Sequence, residues 1–330
     1  MNPFNYSRAS DADQAVAEIS AKRQGKFLGG GTNLIDLMKM GVETPGQLID
    51  INRIPLAQIE ELPNKGVRIG ALARNSDVAA HDLIKTRYPV LSEAFLSGAS
   101  PQLRNMATVG GNLLQRTRCY YFYDPAFPQC NKRKPGSGCG AIDGFNRIHA
   151  ILGQSDQCIA THPSDMCVAL AALEGIVRVQ GPKGEREIRF ADFHRLPGNT
   201  PERDTNLEDD ELIVAVDLPA LPFAKRSHYL KVRDRASYAF ALVSVAAALD
   251  LDANKTIKAV RLALGGVAHK PWRASTAEKK LVGAKADEET FRAAAEAELA
   301  PAKGYKHNSF KIELAKRSIV RALSTVTSIT

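Results

Sequence analysis

Arg104-Asn105-Met106-Ala107-Thr108-Val109-Gly110-Gly111-Asn112-Leu113 opens the stretch around which the chain is organised, and His162-Pro163-Ser164-Asp165-Met166-Cys167 closes it. All five cysteines lie between Cys119 and Cys167. The opening segment sets a hydroxyl, two glycines and an amide side by side. Upstream, Phe27-Leu28-Gly29-Gly30-Gly31-Thr32-Asn33-Leu34 reads as a strand, a glycine turn and a helix start. Glycines let backbone approach a phosphate closely, and N–H groups at a helix N-terminus attract the anion. Neither common phosphate motif matches. Gly29 and Gly31 fit the start of the dinucleotide fingerprint, but Leu34 stands where its third glycine belongs, and no Lys-Ser/Thr follows as in a Walker loop. Taken alone, the motif also reads as an ordinary tight turn. Two such loops far apart in sequence suit a cofactor with a pyrophosphate bridge, such as FAD.

The 330 residues, 44% of them hydrophobic, allow two or three packed units. The net charge is +8, from 44 basic and 36 acidic residues. The basic residues are scattered, with no zinc-finger, helix-turn-helix or RNA-binding aromatic signature, which argues against a nucleic-acid partner. The surplus suits an anionic cofactor or an acidic partner. No apolar run reaches the ~18 residues of a membrane span, and the polar start Met1-Asn2-Pro3-Phe4-Asn5-Tyr6 shows no secretion signal. Cysteines confined to one region point to a metal site in a reducing compartment rather than to a disulfide framework.

In chain order, Ser10 and Asp13 form a capping-box-like start for a helix with Ala12, Ala15, Val16 and Ile19 at helical spacing, ended by Gly25. Lys26–Leu28, Gln47–Ile51 and Val67–Ala71 read as strands, and Asn33–Met40 as a helix stopped by Gly41. Ser76 caps a helix through Ile84, and Pro89 starts another through Leu96. Pro163–Leu173 is a helix. Gly175–Gln180 and Glu185–Phe190 flank a hairpin turn, Leu212–Leu218 is a strand, and Leu196–Asp210 is a polar surface loop. From about Ser227 the pattern becomes strands (Ser227–Val232, Ala239–Leu251, Thr256–Leu264) followed by helices (Ser275–Val282, Asp287–Leu299, Ser309–Leu323), the mark of a separate α+β unit.

Asp165 sits in the first turn of its helix, where a carboxylate caps the N-terminus or accepts hydrogen bonds from a ribose or a flavin. Cys119, Cys130, Cys139 and Cys158 are separated by ten, eight and eighteen residues. No pair has the two-residue gap of most zinc or ferredoxin sites. Spacing alone therefore leaves an iron–sulfur cluster, structural zinc and free thiols all open. The Pro- and Gly-rich segment between them can fold around a metal, with Lys132, Arg133 and Lys134 offsetting thiolate charge. Cys167 falls on a helix among apolar residues and reads as core, replacing Cys158 as a ligand only if Cys158 is remote.

The chain resembles the FAD-binding middle subunits of the xanthine dehydrogenase and carbon monoxide dehydrogenase family of molybdenum hydroxylases. Four blocks carry the resemblance: Gly29–Leu34, Ile69-Gly70-Ala71-Leu72-Ala73, Arg104–Leu113 and Pro163-Ser164-Asp165, with Ala263-Leu264-Gly265-Gly266-Val267-Ala268 in the C-terminal part. It implies an α+β fold: a two-lobed vanillyl-alcohol-oxidase (PCMH)-type FAD-binding domain, then a CO-dehydrogenase-flavoprotein-type C-terminal α+β domain. The first domain would cover about 1–222, in lobes of about 1–62 and 63–222 with a Cys-rich loop at about 115–160, and the second about 223–330.

The resemblance further implies that Phe27, Leu28 and the residues through Ile35 wrap the FAD pyrophosphate. Gly70 and Ala71 would approach the flavin, and Ala107, Thr108, Gly111 and Asn112 would continue the phosphate and ribose contacts. Asp165 would bind from the other side, while Lys231 and Tyr238 reach toward the flavin ring. A cation there stabilises a reduced anionic flavin, although Lys231 also reads as a surface lysine. The cysteine loop is similar to the variant in benzoyl-CoA-type reductase subunits that holds a [4Fe–4S] cluster, here on Cys119, Cys130, Cys139 and Cys158.

The implied partners are a molybdenum-cofactor large subunit and a [2Fe–2S] small subunit, with electrons passing from them to FAD and on to an external acceptor. The aldehyde or purine substrate would bind on the partner, and the chain offers no acid–base dyad of its own. A zinc-stabilised scaffold subunit and a free-standing flavin oxidase are the rival expectations. The resemblance is strongest to periplasmic aldehyde-oxidising complexes, so the chain is expected to fold in the cytoplasm and leave with a signal-bearing partner. The alternative is that it stays cytoplasmic.

Overall fold

A computed structural model of the protein describes residues 1–21 and 24–329. The fold is α+β and is built on three sheets. The first has three parallel strands, with Gln47–Asp50 between Asn5–Arg8 and Gly25–Leu28. The helix Ala12–Ser20 connects the outer two and buries Ala15, Val16 and Ile19. Its cap is Asp11 rather than Ser10: the Asp11 carboxylate accepts from the Gln14 N–H. The strand Asn5–Arg8 was not legible because it is a mostly exposed edge of polar residues.

The second sheet is antiparallel, in the order Ile59–Glu61, Val67–Gly70, Leu212–Leu218, Ile176–Gly181, Gly184–Arg189. Against it pack the helices Pro89–Ser97 and Asp165–Ala172. Every residue of Asp165–Ala172 is buried, so that helix is apolar nearly all round. The helix expected from Ser76 to Ile84 is two, Asn75–Ala80 and Asp82–Arg87, with His81 extended between them. Ser92 Oγ donates to the Ala79 carbonyl (2.6 Å), which takes up one of the acceptors freed at the break.

The third sheet is also antiparallel: Ser227–Val232, Val243–Leu251, Ile257–Gly265 and Trp272–Arg273. Helices Ser275–Leu281, Glu288–Leu299 and Phe310–Thr327 cover it. The strand expected from Ala239 begins only at Val243, after an exposed turn in which Tyr238 takes φ 51°. Tyr229, Ala246 and Ala263 join the core of the second sheet, so the two units share packing. The cysteine loop makes a smaller core of its own around Leu37, Phe122 and Ile159. No helix among the described residues is long and apolar enough to cross a membrane.

Candidate functional site

The two glycine motifs pack directly on each other. A Cβ on Gly30 would lie 2.0 Å from the Met106 carbonyl oxygen, and one on Gly29 would lie 3.1 Å from Thr108 Oγ1. Gly31, at φ 72°, turns the chain into the helix Leu34–Lys39. The second motif is itself a helix start. Thr108 Oγ1 accepts from the Gly111 N–H (3.2 Å) to cap Val109–Leu113, and the Gly110 and Val109 N–H groups bond the Ala71 and Ala73 carbonyls. The motif is thereby fixed to the end of the strand Val67–Gly70.

Between the motifs opens a cleft of about 340 Å³. Phe27, Leu28, Gly29, Gly30, Gly31, Thr32, Asn33, Leu34, Ala71, Thr108 and Gly111 line it. Ile35, Gly70, Ala107, Asn112, Lys231 and Tyr238 do not. Gly70 instead lets the Leu56 carbonyl approach, at 2.2 Å from where its Cβ would sit. The Ala107 carbonyl accepts from the Asn75 N–H, and Asn112 Oδ1 accepts from Ser164 Oγ (2.8 Å).

Asp165 lines a smaller pocket with Arg118, Ser244 and Phe240. Its carboxylate accepts from Tyr229 Oη (2.8 Å) and Lys231 Nζ (2.7 Å), while Ser164, not Asp165, caps the helix by accepting from the Cys167 N–H. The Lys231 side chain is enclosed and also donates to the Ser97 carbonyl, so it is not a surface lysine. Tyr238 is exposed.

The far wall of the cleft holds residues that sequence reasoning missed: Arg116, His162, His194 and Asp204. Arg116 Nε bonds Asp204 (2.7 Å), and its Nη1 bonds Glu43 (2.5 Å). Lys132, from the cysteine loop, bonds the other Asp204 oxygen and the Pro201 carbonyl. Burial alone would raise the Asp204 carboxyl, but Lys132 and Arg116 outweigh it and hold it well below the usual carboxylate range. The segment expected to be a surface loop is therefore pinned inward by an ion pair, and nothing in its polar composition signals this.

His162 Nε2 and His194 Nδ1 are buried without hydrogen-bond partners among the described residues. With Cys167 they form the one group, among the described residues, of three or more His, Cys or carboxylate ligand atoms within 4.8 Å of one another. Burial drives His194 down to about 4 and Cys167 up to about 12, so both are neutral.

Cys119, Cys130, Cys139 and Cys158 line one small cavity together with Lys132, Asn131 and Phe122. Cys130 and Cys139 face each other across an antiparallel bridge. Hydrogen bonding from Cys158 pulls the Cys139 thiol down, while Cys158 is pushed up in return. Cys167 lies in the core, its Sγ 3.9 Å from the Asn112 carbonyl, and does not line this cavity. Of the three basic residues expected to offset thiolate charge, only Lys132 lines it. Arg133 is taken up by the carbonyls of Tyr121, Pro125 and Phe127, and Lys134 is exposed.

A family model described as the FAD binding domain in molybdopterin dehydrogenase matches residues 2–221, and one described as the CO dehydrogenase flavoprotein C-terminal domain matches residues 228–326. The chain is 51% identical to the aldehyde oxidoreductase FAD-binding subunit of Escherichia coli K12, over 98% of each chain. It is 29% identical to the glyceraldehyde dehydrogenase medium chain of Sulfolobus acidocaldarius, over 88% of this chain and 84% of that one. A chain of the solved carbon monoxide dehydrogenase of Hydrogenophaga pseudoflava matches with a TM-score of 0.76 and 27% identity, over 98% of this chain and 97% of that one. Glycine motifs joined across a cleft and two family models spanning nearly the whole length lead to one assignment: this chain belongs to the FAD-binding medium subunits of the molybdenum hydroxylases.

Proposed function

We propose that the chain is the electron-transfer subunit of a molybdenum-dependent aldehyde oxidoreductase, carrying FAD and a [4Fe–4S] cluster. Electrons from a molybdenum-cofactor large subunit, relayed by a [2Fe–2S] small subunit, reach FAD here and leave to an external acceptor. Substrate oxidation takes place on the partner. The aldehyde class rests on the similarity to the Escherichia coli subunit.

The observation that carries the cluster is the convergence of Cys119, Cys130, Cys139 and Cys158, from a span of forty positions, on a single cavity. Four thiolates can hold one iron each in a [4Fe–4S] cluster, and the same set would take structural zinc, so metal analysis distinguishes the two. When bound, the cluster supplies one-electron storage, and Lys132 stands at the cavity wall to offset its charge. Close backbone and a capped helix start suit the cleft between Gly29–Asn33 and Thr108–Gly111 to the FAD diphosphate.

The test is a visible spectrum of the purified complex with iron, zinc and flavin quantified. Flavin absorption is expected, with about four irons per FAD subunit in excess of those in the [2Fe–2S] partner. Colourless protein containing zinc overturns the proposal, and so does aldehyde turnover by the isolated chain without molybdenum. Export with a signal-bearing partner is proposed in the same terms. The chain should appear in the periplasmic fraction only when that partner is co-expressed, and finding it there without the partner refutes this route.

A further inference from the structure

The imidazole of His149 lies outside the flavin cleft and against the cysteine cavity. Its Nε2 is 3.1 Å from Cys119 Sγ, and both side chains are buried. The position is set from the C-terminal unit. The His149 carbonyl accepts from Lys311 Nζ (2.8 Å) and Asn308 Nδ2 (3.2 Å), and Lys311, wholly buried at the start of Phe310–Thr327, also bonds the Gly266 carbonyl. Tyr120 and Tyr121 flank the ring, with centroids at 6.5 and 6.3 Å. His149 Nδ1 is buried with no hydrogen-bond partner among the described residues. A cysteine sulfur bound to iron has no proton to give. The contact at Nε2 then requires Nε2–H to donate to sulfur.

We propose that His149 is a positioning residue for the cluster on Cys119, Cys130, Cys139 and Cys158: its Nε2–H bonds the Cys119 sulfur and raises the cluster's reduction potential. This rests on the [4Fe–4S] assignment above. Reduction adds one electron, from the flavin in the complex or from dithionite in a titration, and no covalent bond forms or breaks. The added charge resides partly on the cysteine sulfurs. A donor held against one of them stabilises the reduced form more than the oxidised one. Because Lys311 and Asn308 anchor His149, the C-terminal unit holds the donor that tunes a cluster bound by the other unit.

The experiment is an EPR-monitored redox titration of the intact complex carrying native chain, His149→Leu or His149→Gln, with iron and flavin measured in each. The Leu variant is expected to keep its iron and flavin, its cluster midpoint moving to more negative potential while the flavin midpoint stays put. Gln, which retains an N–H, should fall between Leu and native. An unchanged midpoint in iron-loaded Leu protein overturns the proposal. Should Leu lose its cluster, native protein labelled with ¹⁵N-histidine decides by pulsed EPR. A weakly coupled histidine nitrogen on the reduced cluster supports the hydrogen bond, and its absence refutes it. Native complex whose iron does not exceed that of the [2Fe–2S] partner would instead overturn the cluster assignment itself.

Discussion

Lys231 Nζ lies 2.7 Å from an Asp165 carboxylate oxygen, both side chains are almost fully enclosed, and the residues come from different structural units. Tyr229, two residues before Lys231 on the same strand, donates to the other carboxylate oxygen. A buried pair of this kind is expensive to break from one side, because the remaining charge has no water to turn to. Asp165→Ala should destabilise the chain by about 3–5 kcal/mol, measured by urea unfolding. Lys231→Met/Asp165→Leu should recover most of that loss. If the single variant unfolds like the native chain, the pair is not what joins these units.

Gly30→Ala should abolish flavin retention, because the new Cβ would collide with the Met106 backbone and push the two glycine motifs apart. Gly29→Ala approaches the Thr108 hydroxyl at 3.1 Å, which a shift of a few tenths of an ångström relieves, and should weaken retention less. Gly41→Ala meets nothing within 4 Å, and its positive φ should cost only about 1 kcal/mol with flavin unaffected. The flavin-to-protein ratio of the three purified variants checks the order. Equal ratios would mean the two motifs do not jointly hold the cofactor.

Much of this was legible in the sequence because it rests on local signals. The glycines before Thr32 and after Val109, the apolar periods of Leu212–Leu218 and Ser227–Val232, and Pro89 at a helix start all act within a few residues. What was hidden depends on contacts across the chain. Asn5–Arg8 is a strand only because Gln47–Asp50 pairs with it, and His81 breaks a helix whose neighbouring carbonyl is taken by Ser92. The cleft wall formed by Arg116, His194 and Asp204 comes from a polar loop and two unremarkable positions, brought together by ion pairing that spacing does not encode.

Cys139→Ser should strip this subunit of its iron and leave only that of the [2Fe–2S] partner, and Cys167→Ala should not, since Cys167 lies in the core of the second sheet rather than on the cysteine cavity. Iron per chain, determined on both variants after anaerobic purification, is the measurement. Iron loss from the Cys167 variant with normal thermal stability would move the ligand set away from Cys158.

Asp50 holds the first glycine loop at one remove. It accepts from Tyr6, Arg8 and the Asn52 N–H, and Asn52 Nδ2 in turn donates to the Leu28 and Gly29 carbonyls (3.2 and 3.0 Å). Burial pushes the Asp50 carboxyl up, but the hydrogen bonds from Tyr6, Asn52 and Arg8 win and hold it at about 2. The unfolded value is ~3.9, so this stabilisation is complete above that pH and is lost as pH falls through about 2. Asp50→Asn should cost about 2 kcal/mol at neutral pH. The gap between native and variant should close as the pH is lowered from ~4 toward 2, read by unfolding at a series of pH values. A gap that stays constant down to pH 2 would show that the charge of Asp50 contributes nothing.

Asp204 joins the flavin cleft to the cysteine loop, since Arg116 approaches it from one side and Lys132 from the other. Asp204→Asn keeps the shape but leaves the buried Lys132 and the partly buried Arg116 facing a neutral amide. Stability should fall by about 3–5 kcal/mol. Because Lys132 lies on the cavity lined by the four cysteines and Arg116 on the cleft, iron and flavin should be lost together rather than separately. Lys132→Met on its own removes one of the two cations and should release iron ahead of flavin, while Arg116→Met should do the reverse. Unfolding curves with iron and flavin ratios on all three variants decide the matter. If Asp204→Asn lost flavin and kept its full iron, the ion pairs would belong to the cleft alone, and the coupling between the two cofactor sites would fall.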